Sequence, residues 1–200
     1  ALCGGAVAPD GVLDDALDEL ARMGRIVSQL LLMARTGSEL TTAARPLLIG
    51  ELVSGVGARW AATAGATIDC TDLAAIADVV VSGNHDHLVQ VFEALVDNAV
   101  KFTPKGTVTL SVEHVVGDTP EVLFTVTDTG IGMDEDTLAQ LFTAFYQADS
   151  SATRPYGGTG IGLTITEQFC RLLGGKIEVT SRLGEGSTFR VYLPRDLVVG

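Results

Sequence analysis

The chain is expected to fold as an α+β two-layer sandwich, with about three helices on one face of a mixed, mostly antiparallel sheet. Three observations predict it. Paired strand-like runs alternate apolar and polar residues at TVTLSVEHV (107–115) with EVLFTVTD (121–128) and at KIEVTSR (176–182) with TFRVYLP (188–194). Segments with helical spacing precede each pair, at 86–102 and 161–173. The hydrophobic content, 46% of 200 residues with 23 glycines, suits a packed core cut by turns.

Leu13, Leu17, Leu20, Gly24, Val27, Leu31 and Ala34 alternate steps of four and three, which is a heptad seam. Asp10 can cap its start and Gly37 its end, so one long helix is expected over about residues 11–36. So wide a seam needs a partner, either within the chain or in a second copy. Residues 38–48 read as linker, with Pro46 ending any helix before it. The domain division is therefore 1–45 and 46–196. Leu52, Val53, Val56, Trp60 and Ala64 give a further amphipathic helix, and ATIDC (66–70) and DVVVS (78–82) read as strands. The helix from about Asp86 to Phe102 buries Leu88, Val91, Phe92, Leu95, Val96 and Ala99. A short helix near 135–142 and the turn LGEG before the last strand complete the series.

Charge excludes one class of partner. With 25 acidic against 13 basic residues the formal net charge is −12, which argues against nucleic acid. A polyanionic ligand would have to be held by local cations, backbone amides and a metal ion. The longest nearly apolar stretch, LAAIADVVV (73–81), is too short to span a bilayer and holds Asp78, and no signal peptide is evident. Cys3, Cys70 and Cys170 form no CxxC pair and read as buried or incidental thiols in a reducing cytoplasm.

The residues that carry chemistry lie in the second half. Asn98 and Lys101, three apart on one helix, project from the same side. An amide oxygen suits Mg²⁺ shared with phosphate, and the lysine supplies a point charge. Taken alone, the pair equally fits a wet helix face. Asp128 ends a strand before Thr129, Gly130, Ile131, Gly132 and Met133. Its carboxylate can accept from an exocyclic amine, with Ile131 and Met133 against a ring; an ordinary Asx turn is the plainer alternative. GGTGIGL (157–163) opens a helix, so its amides would face a phosphate, although the glycines alone also fit a hinge. Neither a P-loop nor a dinucleotide fingerprint is present. The long loop before it, TAFYQADSSATRPY, has the character of a lid. His85 and His87, two apart in GNHDHL, and His114 in a strand read as structural or surface residues rather than metal ligands.

In this order, QVFEALVDNAVKFTP, DTGIGM, LFTAFYQADSSATRPYGGTGIGLTI and LLGGKIEVTSRLGEGSTFRVYLP resemble the ATP-binding catalytic domain of sensor histidine kinases, most of all the hybrid type. The resemblance covers about residues 46–195, and DELARMGRIVSQLLLMAR (18–35) is similar to the second helix of the kinase dimerisation hairpin. It implies the Bergerat-type sandwich shared with gyrase, Hsp90 and MutL. It implies Asn98 on Mg²⁺, Lys101 on the phosphates of ATP, Phe102 against the rings and Asp128 on adenine N6, with Thr188 supporting Asp128 through water. Gly130, Gly132 and Met133 would shape the adenine turn. Gly158, Thr159, Gly160, Ile161, Gly162 and Leu163 would line the triphosphate. The lid would run from Phe142 to Tyr156, with Arg154 reaching the γ-phosphate.

The resemblance further implies a protein histidine kinase whose phosphoacceptor histidine lies on a helix upstream of residue 1, and a response-regulator receiver domain as the next partner. Residues 11–36 would serve a homodimer, and the location would be cytoplasmic, in a parent protein open to membrane anchoring. Two departures define the alternatives. The family usually has asparagine where this chain has Ala94, four residues before Asn98, and the acceptor helix is absent. Ala94 motivates one rival reading, a nucleotide-binding pseudokinase; the other, a related anti-sigma-type serine kinase, is opposed by the KFTP segment and the long lid, which favour the histidine kinase. Glu93 does not replace the asparagine, since one residue along a helix turns a side chain by roughly 100°.

Overall fold

The computed structural model describes residues 45–61, 67–71, 79–115, 120–147 and 160–195. All belong to the second of two units of the chain, Thr41–Gly200. The expected heptad helix over 11–36 lies outside the described residues.

The described elements run β1 (Arg45–Leu48), α1 (Ile49–Ala61), β2 (Thr67–Thr71), β3 (Val80–Gly83), α2 (His85–Phe102), β4 (Thr107–Val115), β5 (Glu121–Asp128), α3 (Glu135–Gln140), α4 (Gly162–Leu172), β6 (Lys176–Arg182) and β7 (Gly186–Pro194). Five strands form one sheet in the order β2-β4-β5-β7-β6. Only the β2–β4 pair is parallel, and the other three neighbours are antiparallel. β1 and β3 form a separate antiparallel ribbon. Helices α1, α2 and α4 pack on one another and on the sheet. The mixed, mostly antiparallel α+β sandwich is therefore as expected.

Alternation decides which face is covered. Val122, Phe124, Val126 and Asp128 of β5, and Ser187, Phe189, Val191 and Leu193 of β7, are buried. They face Leu88, Val91, Phe92, Leu95, Val96 and Ala99 of α2, all buried as expected. Phe92 and Phe124 meet with ring centres 4.5 Å apart, a tilted pair at the centre of the core. The opposite face is polar: Thr127 meets Thr188 at 3.2 Å, Arg190 donates to Thr180 at 3.1 Å, and Lys176 pairs with Glu178 at 2.7 Å. Such a solvated face fits an antiparallel sheet.

Helix α2 starts where its sequence allows. Asn84 has extended backbone, and its side-chain oxygen accepts from Asp86 N at 2.8 Å and His87 N at 3.3 Å. Two boundaries differ from expectation. Residues 45–48 are a strand rather than linker, pairing with 80–83. Pro46 is tolerated because β1 belongs to a two-stranded ribbon, where one side of each strand needs no partner. The last strand begins at Gly186 rather than Thr188, leaving the tighter turn Leu183–Glu185. No described helix is long and apolar enough to cross a membrane.

His87 lies against Phe169 of α4, rings stacked at 4.3 Å and 12° apart, and so is structural. His85 and His114 are exposed. Cys170 is fully buried, and that burial pushes its thiol up to about 12, which makes it inert. The side chains of Cys3 and Cys70 lie outside the described residues.

Burial lowers the pKa of His87, only partly opposed by Asp86. The folded state then holds its proton less tightly than the unfolded chain. Above about pH 6.5 both states are neutral and stability is unaffected. Below that the unfolded chain protonates first, so stability falls until the folded pKa is passed. His87→Phe keeps the stack and removes the proton. Urea midpoints at pH 7.5 and 5.5 are expected to drop more for the wild type than for His87→Phe.

Candidate functional site

Asp128 is a carboxylate with only 5% of its surface exposed, at the end of the central strand β5. Leaving such a group without partners would be costly. Hydrogen bonds from two chain segments reach it, both on Oδ1, and a third segment faces it. Gly130 N donates to Oδ1 at 2.8 Å from the turn that follows. The Thr103 hydroxyl, at the C-terminal end of α2, donates to the same oxygen at 3.5 Å. Ser187 of β7 faces the carboxylate from the paired position and adds to its polar surroundings. Desolvation raises the Asp128 pKa, and these donors oppose that rise by stabilising the ionised form.

Register explains the donor set and corrects one expectation. Asp128 pairs with Ser187, whereas Thr188 pairs with Thr127. Successive strand residues face opposite sides of a sheet. Thr188 therefore lies on the outer face, its hydroxyl 3.2 Å from that of Thr127, and Ser187 takes the place beside Asp128. The signal was in the sequence: counting back by twos from Leu193, Val191 and Phe189 arrives at Ser187.

The turn after Asp128 is anchored on both sides. Ile131 N donates to Phe102 O at 3.2 Å, and Gly184 N donates to Ile131 O at 2.7 Å. Met133 N donates to Ser181 Oγ of β6 at 2.8 Å. Gly132 has φ +63, and a Cβ there would collide with the Arg182 carbonyl oxygen. The end of α2, the Asp128 turn and the β6–β7 hairpin thus converge on one place. Ile131 is 54% exposed and Met133 is half-buried beside it. They leave apolar surface next to a buried carboxylate, as the edge and face of an aminopurine require.

Asn98, Lys101 and Phe102 occupy the last turns of α2 leading into this junction. Asn98 and Lys101 are half-buried, and Phe102 is exposed, with Lys101 Nζ 5.2 Å from its ring centre. Burial lowers the Lys101 pKa, and the nearby Asp97 charge counters it. Ala94 is half-buried one turn earlier.

Gly160, Ile161, Gly162 and Leu163 lead into α4, whose N-cap residue Ile161 makes no side-chain capping bond. Among the described residues no side chain caps its start, in contrast to α2 and α3, capped by Asn84 and Asp134. A Cβ on Gly162 would meet no described atom within 4 Å. A helix start of this kind can take an anion. The loop before α4 is held at its base: Phe145 N donates to Gly160 O at 2.9 Å and Thr164 Oγ1 to Phe142 O at 3.0 Å. Phe145 and Gly160 both have positive φ, 65° and 67°. The remainder of the expected lid, with Arg154, Gly158 and Thr159, lies outside the described residues.

No group of three or more His, Cys, Asp or Glu side chains suited to a metal occurs among the described residues. A single amide such as Asn98 fits only an ion that brings most of its ligands as phosphate and water, which is the habit of Mg²⁺. An open groove of about 320 Å³ lies along β5, β6 and β7. It is lined by Thr127, Thr180 and Thr188 of the outer face and also by Asp128, Ser181 and Ser187, so it reaches the strand ends at the Asp128 junction.

A buried carboxylate beside apolar surface and a glycine-bearing helix N-terminus, in one α+β sandwich, suit a purine nucleotide. The comparisons make the class specific. Residues 83–197, more than half of the chain, match the family model of histidine kinase-, DNA gyrase B- and HSP90-like ATPases. The chain belongs to this family, and membership carries ATP as its ligand. Over 113 residues it is 49% identical to the circadian input-output histidine kinase CikA of Synechococcus elongatus, covering 56% of this chain and 15% of CikA. It is 38% identical over 120 residues to the autoinducer 2 sensor kinase/phosphatase LuxQ of Vibrio cholerae, covering 60% of this chain and 14% of LuxQ. The chain thus spans about one-seventh of the curated relatives it matches. The crystal structure of full-length ShkA in complex with AMPPNP superposes with a TM-score of 0.77 at 27% identity, covering 98% of this chain and 41% of ShkA. The Acinetobacter baumannii histidine kinase AdeS, at 20% identity and a TM-score of 0.71, shares the fold. The domain is of the catalytic ATPase type found in sensor histidine kinases.

Two glycines separate packing from binding. Gly132→Ala forces a side chain into a left-handed turn against Arg182, and is expected to cost at least about 1–2 kcal/mol of stability. Gly162→Ala meets no described protein atom, and is expected to leave the thermal midpoint unchanged or higher while weakening ATP binding at least about fivefold. Calorimetry with and without ATP checks both.

Proposed function

We propose that this chain is the catalytic region of a sensor histidine kinase, with the catalytic domain over 46–196 and part of the dimerisation region over 1–45. It binds Mg·ATP and donates the γ-phosphoryl group to a histidine on a dimerisation helix outside these residues. The observation that carries this reading is the buried Asp128, held by donors and facing apolar surface at the turn. Asp128 accepts from the adenine amine, and Ser187 supports it from the facing strand. Phe102, Ile131 and Met133 bracket the ring. The phosphates lie toward the start of α4, where Gly160, Ile161, Gly162 and Leu163 present their amides, and Lys101 adds a charge. Gly158, Thr159 and Arg154 complete that end.

Asn98 holds the Mg²⁺ that arrives with the nucleotide; when bound, the ion neutralises developing charge on the phosphates. The residues of this chain orient the nucleotide and leave its γ-phosphate facing out, toward the acceptor imidazole. The bond from the γ-phosphorus to its bridging oxygen breaks as a nitrogen–phosphorus bond forms, and ADP leaves. Catalysis is mostly positioning and charge stabilisation. His87, stacked on Phe169, and the strand residue His114 do not serve as acceptors. A receiver-domain aspartate is the next phosphate acceptor, the cytoplasm is the location, and residues 11–36 pair with a second copy.

Ala94 supports a second reading, a nucleotide sensor without transfer, because it removes the amide that usually assists the metal. One experiment separates the two. The chain is mixed with radiolabelled ATP, Mg²⁺ and a separate dimerisation domain bearing a phosphoacceptor histidine. Acid-labile label on the added domain is expected; binding without transfer identifies the sensor. Asn98→Ala is expected to abolish the Mg²⁺ dependence of nucleotide affinity, measured by titration with Mg²⁺ and with EDTA. An unchanged dependence would remove Asn98 from the metal site.

A further inference from the structure

The hydroxyl protons around Asp128 can be counted, and the count points to a residue that does not contact the nucleotide. A carboxylate offers about four lone-pair sites. Asp128 accepts two hydrogen bonds, from Gly130 N at 2.8 Å and from the Thr103 hydroxyl at 3.5 Å, and both end on Oδ1. An exocyclic amine arriving at this carboxylate can therefore donate to Oδ2, provided no neighbouring hydroxyl takes that place. Ser187 faces Asp128 from the paired position of β7, so its hydroxyl is the competitor, and it has somewhere else to donate.

That alternative acceptor is Ser181. Its Oγ lies 3.0 Å from Ser187 Oγ, on the paired position of β6. Ser181 has one proton, and it donates this to Gly186 O at 2.8 Å, an acceptor that cannot donate in return. One lone pair of Ser181 Oγ accepts from Met133 N at 2.8 Å. The other remains for the Ser187 hydroxyl. Ser181 is thus polarised as an acceptor by its own surroundings.

We propose that Ser181 is a positioning residue for adenine recognition: it holds the Ser187 hydroxyl proton away from Asp128, leaving a lone pair on the carboxylate for a 6-amino group. The proposal rests on the reading of Asp128 as the adenine acceptor. Without Ser181, the Ser187 proton has only Asp128 to satisfy and competes with the amine. Loss of Ser181 leaves the turn held by Ile131 N on Phe102 O and Gly184 N on Ile131 O, so the pocket itself persists.

The test uses the whole 200-residue chain. Calorimetric titrations compare ATP with purine riboside triphosphate, which lacks the 6-amino group, and the readout is the ratio of their dissociation constants. Ser181→Ala is expected to reduce the preference for ATP about fivefold, the worth of one neutral hydrogen bond, with little change for the purine analogue. Ser181→Thr keeps the hydroxyl and is expected to keep the preference. In a Ser187→Ala background, adding Ser181→Ala should change the ratio less than about twofold, because the competing proton is gone. Equal weakening of both nucleotides by Ser181→Ala, with the ratio intact, would overturn the proposal, as would an undiminished effect without Ser187. Asp128→Asn is the control on the underlying reading. If it leaves the ratio unchanged, Asp128 is not the adenine acceptor and the role of Ser181 falls with it. If it abolishes the preference while Ser181→Ala does nothing, only the serine relay is wrong.

Discussion

Burying the Asp128 carboxylate constrains the rest of the domain. A charge with 5% exposure survives only if polar groups converge on it, and here donors come from the end of α2 and from the following turn, with Ser187 of β7 facing it. Each fixes something larger. The Thr103 bond sets where α2 ends relative to the sheet. The Gly130 bond shapes the turn, and the place of Ser187 requires the Asp128↔Ser187 register. Slipping that register by one residue would replace Ser187 with Thr188 or Gly186 and turn the apolar residues of β7 outward. The core and the site therefore enforce the same pairing: Phe189, Val191 and Leu193 face the helices only when Ser187 faces Asp128.

The fold was largely legible in the sequence because apolar periodicity and burial coincide in α2, β4, β5 and β7. The exceptions have physical causes. Pro46 signals a break, but a two-stranded ribbon leaves one side of each strand unpaired, and β1 forms there. Gly186 and Ser187 resemble turn residues by type, yet they continue β7, because Gly186 has the φ of +101 needed to run close under the Asp128 backbone. Reading the strand from Thr188 hid Ser187 behind a residue of similar chemistry on the wrong face.

The candidate site was legible in unequal parts. Asp128, Gly130 and Gly132 announce themselves, since a carboxylate at a strand end followed by alternate glycines admits few structures. Asn98 and Lys101 follow from helical spacing alone. Ser181 does not. Its role depends on which hydroxyl proton goes where, and that depends on the β6–β7 register set by a hairpin turn. In the string KIEVTSR it is one small polar residue among several. Only the convergence of Met133 N, Gly186 O and Ser187 Oγ on one oxygen distinguishes it.

The charge of the chain shapes how a triphosphate can be held. A net charge of −12 disfavours any polyanion at long range, so the site cannot depend on a general basic field. What it has is local. Among the described residues no side chain caps the start of α4, and an ordinary N-cap there would occupy the place proposed for the phosphate. Lys101 is half-buried and accompanied by Asp97, which tempers its charge. Backbone dipoles act within the first turn of a helix and fade beyond it. They suit a ligand that must be gripped when docked and released after its terminal phosphoryl group has gone.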